Sequence, residues 1–167
     1  MTDTYDPATV RQRLDTLERP RAAAFAAMCA ELLAPVWPRY CALTRLSDPA
    51  LLAQGLDDLW AALEATDETA GTGTDAALRA RAEALESAAP DEDDDPWVFE
   101  TGYAMNACSS TLYAVQVLLD GDPGRAEWAA RQVWEAADLT VEDEEGLATF
   151  GPPDEEADVT AAATTFV

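Results

Sequence analysis

The sequence predicts an all-α fold, a single-domain bundle of about five or six helices around a central buried helix at about 97–119. Three observations carry that expectation. Apolar residues recur at steps of three and four over long stretches, and nowhere does the chain alternate apolar and polar residues as a half-buried strand does. Aspartate followed by proline recurs at Asp6-Pro7, Asp48-Pro49 and Asp95-Pro96, the pairing of cap and first-turn proline that starts helices. With 167 residues there is enough chain for one core and too little to expect two.

Each element follows from local pattern. Asp6-Pro7 opens a short helix to about residue 17. A second helix starts near Pro20, and its apolar set Phe25, Met28, Cys29, Leu32, Leu33, Val36, Trp37, Tyr40 and Cys41 is expected to form one broad buried stripe. Pro35 and Pro38 remove amide donors inside that run, so two pieces with a corner are expected. Ser47 or Asp48 caps the next helix, which turns Leu52, Gly55, Leu56, Leu59, Trp60 and Leu63 to one side. A weaker helix over about 75–88 faces Leu78, Ala82 and Leu85 inward.

Asp95-Pro96 then opens the central helix, with Trp97, Val98 and Phe99 entering the core. Ala104, Ala107, Cys108, Thr111, Leu112, Val115, Leu118 and Leu119 line one side, and Met105 and Val117 are apolar elsewhere, so the helix is expected to be surrounded. The turn "DGDPGR" ends it, and a last helix over about 124–144 turns Trp128, Ala129, Val133, Ala136 and Ala137 inward. The expected division is a helical domain over 1–145 and a flexible acidic tail over 146–167. The final Thr165-Phe166-Val167 has the Thr-x-Val form that strand-adding peptide grooves accept.

The net charge is −23, from ten arginines, no lysine and 33 acids. Residues 1–45 carry six of the arginines and only five acids, so the negative field belongs to the rest of the chain. Such a field repels phosphate backbones and anionic headgroups, which argues against nucleic-acid or membrane-surface partners and favours a basic protein. Histidine is absent, which removes the commonest general base and every Ser-His or Cys-His nucleophile pair. Cys29, Cys41 and Cys108 are odd in number, lack CxxC spacing and sit in apolar patterns, as buried thiols of a reducing cytoplasm do. The N-terminus is acidic and polar, and the longest apolar stretch, 22–37, is interrupted by Glu31 and Pro35, so a soluble cytoplasmic protein is expected.

Two acidic clusters stand out. Asp91, Glu92, Asp93, Asp94 and Asp95 precede the central helix, where negative charge is favoured by about 0.3–1 kcal/mol per exposed group. As a calcium loop the run fails, because Pro96 stands where glycine is needed and Gly102 where the bidentate glutamate should be. Glu142, Asp143, Glu144 and Glu145 close the last helix, where negative charge is unfavourable, so helix stability does not account for them. Both clusters read either as solvated helix ends or as one acidic docking surface. No cofactor and no metal site is expected.

Asn106, Ser109, Tyr113 and Gln116 step by three, four and three along the central helix, a strip of uncharged hydrogen-bonding groups. It reads either as interhelical hydrogen bonding or as a groove for a small ligand or peptide. Glu100, Glu127, Glu135 and Asp138 are the helical carboxylates that an enzyme would recruit, but the Glu-x-x-His pair of a carboxylate di-metal bundle cannot occur without histidine. The expectation is therefore a non-enzymatic, inhibitor- or immunity-type protein that binds a basic partner.

The segments "RLDTLERPRAAAFAAMCAELLAPVWPRYCALT", "LDDLWAAL" and "WVFETGYAMNACSSTLYAVQVLLDGDPGRAEWAARQVWEAAD" together resemble the YjaG-like family of bacterial proteins, domain of unknown function 416. The likeness covers about residues 11–145 in the same order. It implies an all-helical soluble domain and supplies no reaction and no catalytic residues.

Overall fold

The computed structural model describes residues 5–65, 72–91 and 96–150, the side chains of 72, 73 and 141–150 excepted. Among the described residues, seven helices and no strand make up the fold: α1 (Pro7–Leu14), α2 (Arg19–Leu33), α3 (Val36–Thr44), α4 (Leu51–Glu64), α5 (Thr72–Ala88), α6 (Thr101–Asp120) and α7 (Pro123–Phe150). The fold class is as the periodicity predicts, with more helices than the expected five or six. No helix among the described residues is long and apolar enough to cross a membrane.

Start and stop chemistry explains most boundaries. The Asp6 carboxylate accepts from the amides of Ala8 and Thr9, capping α1 while Pro7 gives up no needed donor. Pro35 divides α2 from α3, since its ring cannot continue the α2 ladder; Trp37 N–H instead closes a tight turn on the Ala34 carbonyl at 3.1 Å. Pro38 is tolerated because it falls in the first turn of α3. Gly121, with φ of +74°, ends α6 in the left-handed conformation and lets α7 fold straight back.

Two helix starts differ from expectation. Asp48 does not cap α4; its carboxylate accepts from Ala50 N–H at 2.9 Å in a separate turn, and the helix begins at Leu51. α6 begins at Thr101, four residues later than Trp97, because the Thr101 hydroxyl accepts the Val98 amide at 3.1 Å and holds 97–100 outside the helix. In that non-helical stretch neighbouring side chains diverge. Val98 packs on the core while Trp97 and Phe99 are 53% and 55% exposed, so the expected burial of both aromatics is corrected. At the other end α7 runs to Phe150, further than the expected 144, which places residues 142–145 within the helix.

α6 packs on α2, α3, α4, α5 and α7. On one side of it Trp37, Tyr40, Leu52, Leu78, Leu85, Cys108 and Val115 form a buried cluster; on the other, the alanines of α2 meet Leu14, Leu56, Leu59, Ala114, Val117, Ala126 and Ala129. Leu112, expected in the core, is half-buried against the first cluster.

α2 keeps only part of the expected buried stripe, Cys29 and Leu33. Ala22, Ala23, Ala26, Ala27 and Ala30 are buried, whereas Met28 and Leu32 are each 60% exposed. Small side chains let the α2 backbone approach α6 and α7 closely, and Met28 and Leu32 are left outside. α7 shows a milder version, with Ala129 and Ala136 buried and Trp128 and Ala137 exposed against expectation.

Candidate functional site

The residues singled out in the sequence fall in three places. Of the first acidic cluster, Asp91 is described and exposed just after α5, and Glu92, Asp93, Asp94 and Asp95 lie outside the described residues. Glu142, Asp143, Glu144 and Glu145 belong to the backbone of α7, their side chains outside the described set. The tail beyond residue 150, with its Thr-Phe-Val end, also lies outside it.

The polar strip of α6 turns toward α7 and α5. Gln116 donates to Glu86 Oε1 of α5 at 3.2 Å and accepts from the Arg125 guanidinium of α7, which also pairs with Asp120. Tyr113 packs edge-on against Trp128, ring centroids 5.5 Å apart, in the geometry favoured by aromatic quadrupoles. Asn106 is buried and Ser109 half-buried. Ser110, which the strip omitted, is fully buried and donates to the Ala129 carbonyl at 3.2 Å. A cleft of about 330 Å³ opens elsewhere, between α4 and α5, lined by Asp58, Ala61, Ala62, Thr74, Ala77 and Leu78. None of its lining residues comes from the strip.

The helical carboxylates are dispersed. Glu100, buried at the start of α6, accepts from Arg39 Nε of α3 at 2.6 Å. Glu127, buried in α7, accepts from the Tyr5 hydroxyl at 2.9 Å, and Tyr5 stacks on Trp134 with centroids 5.9 Å apart. Burial, followed by the hydrogen bond to Glu127, holds the Tyr5 phenol well above its ordinary range. Glu135 pairs with Arg131 one turn away, and Asp138 is exposed. Among the described residues no group of three or more acids and cysteines is placed to hold a metal ion.

The three thiols are free and buried. Burial pushes Cys29 up to about 11 and Cys108 to about 12, and raises Cys41 as well. Cys108 donates to the Leu85 carbonyl at 3.4 Å, a packing role rather than that of a poised nucleophile.

These features define a class: an all-α bundle of strongly acidic composition in which buried Glu100 joins α3 to the start of α6 and buried Cys108 joins α6 to α5. Residues 9–150 match the family described as "Protein of unknown function (DUF416)", and the chain belongs to that family. No curated protein and no solved structure matches the chain.

Proposed function

We propose that this protein is a binding module, of inhibitor or immunity type, for a basic protein, built around α6 as its central helix and acting in the cytoplasm. The observation that carries the reading is the charge surplus. If each of the ten arginines neutralised one acid, 23 acids would still lack a counter-charge. Several arginines are already committed inside the fold, to Asp58, Glu100, Asp120, Asp122 and Glu135. Asp57, Glu64, Asp75 and Glu83 are exposed on α4 and α5, in the acidic part of the chain that also carries both clusters. A field of this sign accelerates capture of cationic partners and opposes nucleic acid and anionic membranes.

The test is affinity capture from the native host at about 50 mM salt, where exposed charges are weakly screened. The recovered partner is then titrated against protein with Asp91, Glu92, Asp93, Asp94, Asp95, Glu142, Asp143, Glu144 and Glu145 changed to their amides. The reading expects a basic partner whose affinity falls at least about tenfold on neutralisation and again at about 0.5 M salt. A neutral or acidic partner, or an unchanged affinity, rules it out.

A further inference from the structure

Tyr5 lies outside every helix, yet it is anchored on α7, 122 positions further along the chain. Its hydroxyl sits 2.9 Å from Glu127 Oε1 and 3.1 Å from the Glu127 carbonyl, and its ring stacks on Trp134. Glu127 and Trp134 are two turns apart on one face of α7, so a single side chain spans both. Glu127 itself is enclosed, 7% exposed. Arg11 and Arg131 are committed to Asp15, Asp122 and Glu135, and among the described residues the side-chain donor that reaches the Glu127 carboxylate is the Tyr5 hydroxyl. An enclosed carboxylate stripped of its donor is costly, which is what fixes Tyr5 in place.

Between Tyr5 and the rest of the bundle comes α1, and it is thinly attached. It has eight residues, below the length at which an isolated helix holds its shape in water. Leu14 is its one buried residue, with half-buried Val10 packed on the same cluster. The Arg11–Asp122 pair joins it to the residue before α7 at 3.4 Å, but both side chains are close to half exposed, so the pair adds little. A segment with so little burial opens more readily than a core helix. Cys29 of α2 belongs to the cluster that Leu14 enters, and at 9% exposure it is the least covered of the three thiols. Burial first, then Glu127, then Cys29 hold the Tyr5 phenol above its ordinary range, so this thiol also lies near the Tyr5 contact.

We infer that residues 5–14 form a strap, clasped by Tyr5, that shuts the region of Glu127, Trp134 and Cys29 and opens without unfolding the bundle. What the strap controls is access. Closed, it seals a carboxylate and a thiol from solvent; open, it leaves both reachable and uncovers the Trp134 ring. The clasp combines a hydrogen bond to a carboxylate with an aromatic stack, and losing both shifts the opening equilibrium by at least about tenfold. The cost to the rest of the fold is bounded, because once the strap is open nothing else rests on Tyr5.

The experiment is thiol labelling of the full chain under native conditions at about pH 8, with the labelled cysteines located by peptide mass mapping. Wild type should label no thiol before denaturation. Tyr5→Ala should label Cys29 at least about tenfold faster than wild type, with Cys41 and Cys108 still closed and Tm lowered by no more than about 5 °C. Tyr5→Phe keeps the stack and loses the hydroxyl, so its Cys29 should label at an intermediate rate. A Cys29 that stays closed in Tyr5→Ala overturns the inference, as does a Tyr5→Phe chain as closed as wild type. So does a Tyr5→Ala chain that labels all three thiols or loses its helical spectrum, since Tyr5 would then belong to the core. A wild-type Cys29 that labels as fast as the variant's overturns it too, for the strap would not be shut.

Discussion

Arg39 Nε lies 2.6 Å from Glu100 Oε1, joining α3 to the residue that precedes α6. The pair is lopsided, with the carboxylate side chain 9% exposed and the guanidinium 50%. Removing Arg39 strands an enclosed negative charge, whereas removing the charge on Glu100 frees a group that water can solvate. Arg39→Ala should cost about 2 kcal/mol, and adding Glu100→Gln should recover part of the loss. Urea denaturation of both singles and the double mutant measures this, and simple additivity would show that the pair is not coupled.

Trp37 is fully buried, and its indole N–H donates to the Asp48 carbonyl at 2.9 Å, pinning the α3–α4 connection. Trp37→Phe keeps most of the packing and leaves that carbonyl without its donor. A loss of about 1–3 kcal/mol is expected, with Tm falling and helical content below the transition unchanged.

The buried thiols set an alkaline limit. Cys29 and Cys108 release protons near 11 and 12 in the folded chain and near 9 in the unfolded one. Between pH 9 and 12 the folded state therefore binds more protons, so their contribution is complete below about pH 9 and is lost as pH rises through the folded values. Guanidinium titrations at pH 8, 9 and 10 should show falling stability, and Cys29→Ala/Cys108→Ala should reduce the slope. At pH 8 a thiol reagent should label the cysteines only after denaturation.

Gly121 combines a φ of +74° with crowding, since a Cβ there would lie 3.0 Å from Arg19 Nε. Gly121→Ala should destabilise by about 1–2 kcal/mol through backbone strain, while Gly121→Asn, which tolerates this conformation better, should lose less. Thermal denaturation of the two variants ranks them.

What could be read in the sequence was punctuation. Asp6-Pro7, Pro35 and Gly121 act where their chemistry says they should, because caps, missing donors and positive φ are local properties. Burial was less legible. Alanine does not reveal whether it faces solvent or a tightly approaching neighbour, so Met28 and Leu32 were expected inside together with Cys29 and Leu33, and only the latter two are buried. Trp97 and Phe99 misled similarly, since hydrophobicity alone does not say that Thr101 takes up the Val98 amide and delays the helix. On α6 the polar strip took in half-buried Ser109 and passed over buried Ser110, adjacent positions that only the placement of α7 separates. Arg39 and Glu100 are 61 positions apart, and no periodicity links them.

The alanine seat of α2 has a consequence for how the chain tolerates change. Ala23 and Ala27 are fully buried where α2 meets α6 and α7, so Ala23→Val or Ala27→Val would act as a wedge costing about 1–3 kcal/mol. Trimming Met28 or Leu32 would barely disturb the folded chain. Along this helix the small Ala23 and Ala27 are harder to replace than the larger Met28 and Leu32, so a mutational scan ranked by residue size would misplace all four.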